Sequence, residues 1–369
     1  MSTPETVTAA PEAPVLFEEV LAGGFRIGVA TLNRPRQLNA LNLPMCQLML
    51  DRFRAWQTDE GVVAVALRGA GDKGFCAGGD VADVVRRIRD GGAGRFVYGD
   101  AFFEVEYTLN LLIHGYRKPF VSLSHGVNMG GGLGLSVGAS HRVVSDASRI
   151  AMPEIHIGLF PDVGGGFFLN RVPGRIGVLM ALTGMIINEA DALFAGLADF
   201  HLPRSAFDAL WTAMQAMAWT GVADADAQAL TRLLAELSAD HTATLPTSML
   251  RLQFDELRCI ASLPTATEIR DALHAAAAIE PWFKPLADSL VQGSPTAAHV
   301  TFEYLRRAHP MSLAQVLQMD LCVARACQRR HDFPEGVRAL LIDKDRAPQW
   351  SPKGFEAVDH AAVAAHFMA

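Results

Sequence analysis

From Phe25 to Leu32 the order Phe-x-Ile-x-Val-x-Thr puts apolar side chains on every second position, the period of a strand. Asn33-Arg34-Pro35 reads as a turn. Asn42 then stands before Leu43-Pro44, a capping side chain followed by a proline in the first helical turn. Met45, Leu48, Met49, Phe53 and Trp56 continue at helical spacing as one apolar stripe. The wholly apolar run 62–67, bounded by Gly61 and Gly69, suits a strand buried on both faces. Residues 120–123 and 142–144 read as further strands, separated from the preceding strand and from each other by helices around 101–114 and 132–139. Strands alternating with helices predict an α/β core.

After about Pro203 the pattern changes to Ala, Leu, Glu, Asp and Arg at helical period. Ser205–Trp219, Ala223–Ala239, Thr265–Ala278, Thr296–Ala308 and Leu313–Arg330 all read as helices. The expected division is a core over 15–205 and a C-terminal helical region over 206–369 that packs on it.

Composition narrows the function classes. In 369 residues, 50% are apolar and 19% charged, enough for a sizeable core. A net charge of −7 excludes general nucleic-acid binding but not a small anion held by a few local cations. The five cysteines are scattered with no CxxC pair, which reads as reduced thiols, and no HExxH or Cys/His cluster suggests a metal. Residues 1–14 hold two Glu and no Arg or Lys, unlike a secretory or Arg-rich transit leader. No apolar run approaches the roughly 18 residues of a membrane helix. A cytoplasmic protein with a short leader is the expectation.

Two glycine segments carry candidate chemistry. Phe75-Cys76-Ala77-Gly78-Gly79-Asp80 follows the strand at 62–68, and Asn128-Met129-Gly130-Gly131-Gly132-Leu133-Gly134 follows the strand at 120–124. Glycine at a strand-to-helix corner lets a ligand approach the main chain, and a helix start leaves N–H groups free. Two such amides converging on one point would make an oxyanion hole. Taken singly, each segment also fits a plain turn or tight helix–sheet packing.

In this order, and together with Leu32-Asn33-Arg34-Pro35, Leu38-Asn39-Ala40-Leu41-Asn42 and Met152-Pro153-Glu154, the segments resemble the crotonase (enoyl-CoA hydratase/isomerase) superfamily. The stretch 152–168, MPEIHIGLFPDVGGGFF, and the far end, QRRHDFPEGVRA (328–339) with LLIDKDRAPQW (340–350), resemble its 3-hydroxyisobutyryl-CoA hydrolase branch. The similarity spans roughly 16–355. It implies a spiral of ββα units with a C-terminal helical region, an acyl-CoA ligand, no separate cofactor, and a possible homo-oligomer. By position, the amides of Gly79 and Gly131 would hold the thioester oxygen. Hydratases of this family carry a second catalytic glutamate where this chain has Gly134, and usually glycine where it has Asp162.

That exchange of carboxylates implies hydrolysis of a short 3-hydroxyacyl-CoA, foremost 3-hydroxyisobutyryl-CoA in valine breakdown. Glu154 would activate water or attack the carbonyl itself, and Asp162 would manage protons, raised in pKa if the two are close. Glu106 matches a position touching the acyl part and would bind the 3-hydroxyl. Arg34 and Arg36 are candidate phosphate partners, and Asn39, Ala40, Leu41 and Ala77 would line the substrate channel. His125 and His156 lack triad partners and read as structural. An enoyl-CoA hydratase or isomerase, and a non-catalytic acyl-CoA binder, are the alternatives.

Overall fold

The computed structural model describes residues 13–368. β1 (Val15–Ala22) turns back into β2 (Phe25–Leu32), and α1 (Leu43–Thr58) follows, with Asn42 Oδ1 accepting from Met45 N as its cap. Next come β3 (Val62–Gly69), β4 (Gly74–Cys76), α2 (Val81–Asp90) and α3 (Val97–His114), then β5 (Phe120–Ser124), β6 (Val127–Met129) and α4 (Gly131–Val137). β7 (His141–Val144), β8 (Arg149–Ala151) and a single 3-10 turn at Glu154–Ile157 repeat the pattern, and β9 (Phe200–His201) ends the sheet. Long strand, short strand, helix is thus the recurring ββα unit.

The long strands form one sheet in the order β1-β2-β3-β5-β7-β9, antiparallel only at the β1–β2 hairpin. The short ones form a second, parallel sheet, β4-β6-β8. β3 explains why its sequence is apolar throughout. Val65 and Leu67 pack with Phe53 and Trp56 of α1 and with Leu109 and Ile113 of α3. Val63 and Ala64 pack with Phe207, Leu210 and Met214 of helix Phe207–Ala216 and Leu230 and Leu234 of helix Ala223–Ala239. Both faces are covered, so no polar alternation survives. α1 lies directly on β2 because residue 28 is glycine; a Cβ there would stand 2.6 Å from the Trp56 ring.

The remaining helices lie close to where the pattern predicts them, at Ala266–Ile279, Pro295–Ala308 and Leu313–Gln328. The helix expected over 205–219 stops at Ala216. Trp219 folds back instead, its Nε1 donating to Met214 O at 2.8 Å. No helix of the described residues is long and apolar enough to cross a membrane.

One side chain fixes the loop beneath the short sheet. Asn39 is fully buried and in left-handed backbone (φ 57°), accepts from Arg34 N at 2.9 Å, and donates to Ala70 O and Gly74 O at 3.0 and 3.1 Å. It pins residues 34–39 to the crossing from β3 to β4. Asn39→Ala would strand buried carbonyls, so we expect a loss of about 2–4 kcal/mol in chemical denaturation; a change below about 1 kcal/mol would contradict this account.

Candidate active site

The two glycine corners face one another. A Cβ on Gly78, itself at φ 102°, would stand 3.6 Å from Gly131 N, and one on Gly131 would stand 3.4 Å from Gly79 N. Leu41 braces the first corner from behind: its N–H donates to Gly78 O at 2.8 Å and its carbonyl accepts from Asp80 N at 2.6 Å. That short parallel bridge uses the groups on either side of Gly79 and leaves the Gly79 N–H outside the ladder. Gly131 opens α4, where the first-turn N–H has no helical partner.

Carboxyl groups close the other sides. Glu154, at the start of its 3-10 turn, lies against the second corner: its Oε1 would be 2.6 Å from a Cβ on Gly130. Glu106 comes from α3, with Oε1 2.4 Å from the place of a Gly131 Cβ. Asp162 sits just before two left-handed residues, Val163 and Gly164, and its Oδ2 accepts the Tyr107 hydroxyl at 2.6 Å. All three acids are buried, and Glu106 Oε1 and Glu154 Oε2 have no hydrogen-bond partner.

Burial pushes Glu106 and Glu154 well above the usual carboxylate range, and the charge of Asp162 pushes both further. Asp162 is raised by burial to about 6, held back by the Tyr107 O–H that favours its ionised form.

A cavity of about 540 Å³ joins these groups, the size of a small-ligand site. Ala77, Gly79, Gly131, Glu106, Glu154 and Asp162 all line it, with Phe102 and Phe103 from α3 and Leu340, Leu341 and Arg346 from the C-terminal end. Arg34, Asn39, Ala40 and Leu41 are not among the lining residues. The Arg34 guanidinium is committed to Ala40 O at 2.6 Å and Asp80 Oδ2 at 2.9 Å, and Asn39 and Leu41 act from behind the corner. His156 also lines the cavity, its Nε2 3.0 Å from Ser289 Oγ, while His125 bonds Gly71 O elsewhere. Tyr107 and Arg346 were not singled out from the sequence. Tyr107 adjoins Glu106, but adjacency on a helix does not say which neighbour turns inward; Arg346 lies in a distant loop with no periodicity.

The enoyl-CoA hydratase/isomerase family model matches residues 27–367. The chain belongs to this family. Its members act on acyl-CoA thioesters. The 3-hydroxyisobutyryl-CoA hydrolase of Danio rerio is 37% identical, covering 95% of this chain and 88% of its own, and that of Homo sapiens is 36% identical, covering 92% and 86%. Among solved structures, a carnitinyl-CoA dehydratase from Mycobacterium thermoresistibile superposes with a TM-score of 0.84 at 36% identity, over 96% of both chains. An enoyl-CoA hydratase from Rhodobacter sphaeroides 2.4.1 gives 0.83 at 35%, over 96% and 97%.

The family core of ββα units with a C-terminal helical region stands as expected. The cytoplasmic location does not: the hydrolase relatives in fish, frogs, bird and mammals are named mitochondrial. The physical reason is that a leader without Arg or Lys bears on one kind of import signal, and nothing in a folded body records its compartment. Residues 1–12 lie outside the described residues.

A carboxyl whose pKa is raised on folding holds its proton more tightly in the folded chain, so stability falls as pH rises from the unfolded value through the folded one. For Asp162 that window runs from 3.8 to about 6. Asp162→Asn should therefore be more stable than the parent above the window, on the order of 2–3 kcal/mol by urea denaturation. The difference should vanish at about pH 3. A parent that is the more stable at high pH would refute the assignment.

Proposed function

We propose that the chain hydrolyses the thioester of a short 3-hydroxyacyl-CoA, with 3-hydroxyisobutyryl-CoA, a valine-breakdown intermediate, as the leading substrate. The observation that carries this reading is the exchange of carboxyls around the cavity. A Cβ on Gly134 would lie 2.5 Å from Asn110 Nδ2 and 2.6 Å from Val163 Cβ, so no glutamate fits there, while Asp162 joins Glu154 at the cavity wall. Adding water across a double bond needs a carboxyl pair around one water. Hydrolysis needs charge stabilisation on the carbonyl, an attacking oxygen, and a proton for the thiolate.

In this reading the thioester oxygen accepts from Gly79 and Gly131 N–H, each donor contributing about 3–4 kcal/mol to the transition state. Glu154 activates a water for attack on the carbonyl carbon, or attacks it and forms a mixed anhydride that water then opens. The C–O bond forms first and puts the charge on the oxygen held by the two amides; its collapse breaks the C–S bond, the sulfur leaves with that electron pair, and the carboxyl pair gives it a proton, taken from the attacking water on the direct route or regained from the water that opens the anhydride. Glu106, unpartnered above Gly131, is assigned to the 3-hydroxyl. The core over 15–205 and the helical region over 206–369 both contribute to the wall.

Arg346 is the one Arg or Lys among the described residues that line this cavity, and its side chain makes no hydrogen bond or ion pair there. We assign it a CoA phosphate, a role also expected of Arg34, whose guanidinium is committed to Ala40 and Asp80, and of Arg36, which stays exposed. Arg346→Ala should raise KM for the CoA ester about 10-fold with kcat nearly unchanged, a loss of uniform binding; an unaltered KM would remove it from the site.

A hydratase or isomerase is the second reading, favoured by the two full-length structural matches, which are a dehydratase and a hydratase by name. A thiol-detecting assay separates them. Thiol release from 3-hydroxyisobutyryl-CoA is expected, falling about 10²–10⁴-fold in Glu154→Gln. Loss of enone absorbance from crotonyl-CoA without free thiol would favour hydration. The rate should rise with pH through about 6, the Asp162 value, as the pair gives up its first proton and the one left is shared with Glu154, because below it both acids are neutral and no base is present; a rate that falls across that range would contradict the pair.

A further inference from the structure

The loop bearing Asp162 is held from outside the catalytic core. Val163 and Gly164 stand at φ 50° and 84°, and the left-handed region is costly for a β-branched residue. Such a turn persists only where its surroundings over-determine it.

Two helices of the C-terminal region do so. Asp320, on Leu313–Gln328, accepts Gly164 N–H at 2.8 Å with one oxygen and the Tyr304 hydroxyl at 2.5 Å with the other. Tyr304, on Pro295–Ala308, in turn accepts Gly166 N–H at 2.8 Å. Both side chains are fully buried. Every donor in this chain points toward Asp320, so the tyrosine proton has a single acceptor. The Tyr304 ring also meets Phe160 edge-on at 4.8 Å, on the other side of Asp162 in sequence. A Cβ on Gly166 would stand 2.6 Å from Ala308 Cβ and 2.8 Å from the Tyr304 ring. Neither Tyr304 nor Asp320 lines the catalytic cavity.

We propose that Tyr304 and Asp320 are positioning residues, a buried latch by which the C-terminal helices hold Asp162 against the Tyr107 hydroxyl. The inference rests on Asp162 acting in the proposed reaction. It makes the C-terminal region part of the catalytic apparatus, not only a cover.

The groups facing Asp162 are Glu106 and Tyr107 of α3, Glu154, Tyr304, and Asp320 and Cys327 of helix Leu313–Gln328. Of these, the Tyr107 O–H lowers the Asp162 value, so a loop that slips from Tyr107 titrates higher. The test uses the full chain with Tyr304→Phe, which removes one hydroxyl, and Asp320→Asn, whose single amide oxygen can accept from Gly164 N–H or from the Tyr304 hydroxyl but not from both. Thiol release is normalised to folded protein by thermal unfolding, and the Asp162 carboxyl is titrated by isotope-edited infrared, assigned with Asp162→Asn.

We expect kcat per folded molecule to fall about 10- to 100-fold in both variants with KM within about twofold. In Tyr304→Phe the Asp162 midpoint should move above about 6. If Asp320→Asn does not fold, Tyr304→Phe carries the test. Unchanged kcat in Tyr304→Phe would overturn the proposal. So would a lower kcat with an unmoved Asp162 titration, which destabilisation alone would give. A parent chain that releases no thiol defeats hydrolysis, while the infrared titration still decides whether the latch exists.

Discussion

Desolvation of acidic side chains is the constraint from which the rest of the site follows. Glu106, Glu154 and Asp162 stand around one cavity with almost no solvent contact, and among the described residues only Asp162 has a side-chain donor. Three full charges in that volume would repel one another with little screening, so the acids hold protons in common and titrate as a set. Carboxyls that hold their protons above the usual range are suited to passing them to and from a substrate. The same dryness gives each main-chain N–H far more weight than it has in water.

Under the proposed reading, this explains why the cradle for the carbonyl is built from bare backbone. A lysine or arginine at the reacting end would pair with the nearest acid and fix it as a carboxylate. Amides at Gly79 and Gly131 supply partial positive charge without that competition, provided nothing stands between them and the ligand. Glycine meets that condition. A side chain on Gly130 would strike Glu154, and one on Gly131 would strike Glu106. The only guanidinium of the described lining residues, Arg346, comes from the C-terminal loop rather than from the glycine corners.

Much of this was legible in the chain, for reasons that differ by element. β2 and β3 announce themselves because burial on one or both faces leaves a period or a run. β4, β6 and β8 are three residues each, too short for any period, although the glycine corners they aim at are plain. Glu154, Asp162, Glu106 and the two glycines were reached from motifs, and they share one cavity. Arg34 and Asn39 belong to the same motif and serve the fold instead, since a side chain's direction depends on contacts 31 or more positions away, such as Asn39 to Ala70 and Arg34 to Asp80. Tyr107, Tyr304 and Asp320 were illegible for the same reason: their meaning lies in partners that only the folded chain brings near.

Position 134 shows how far such dependence reaches. The space a side chain would need there is filled by Asn110 from α3 and by Val163, the residue next to Asp162. Removing a carboxyl from one place and adding one at the other are therefore a single packing arrangement, because the loop that presents Asp162 is the loop that fills the vacated volume. Restoring a glutamate at 134 would have to displace Val163, and with it the strained turn that Asp320 holds through Gly164. Under the proposed reading, hydrolysis and hydration are then separated by the seating of a whole loop on the C-terminal helices. That coupling gives the helices Pro295–Ala308 and Leu313–Gln328 a reason to be in the chain that covering apolar surface does not supply.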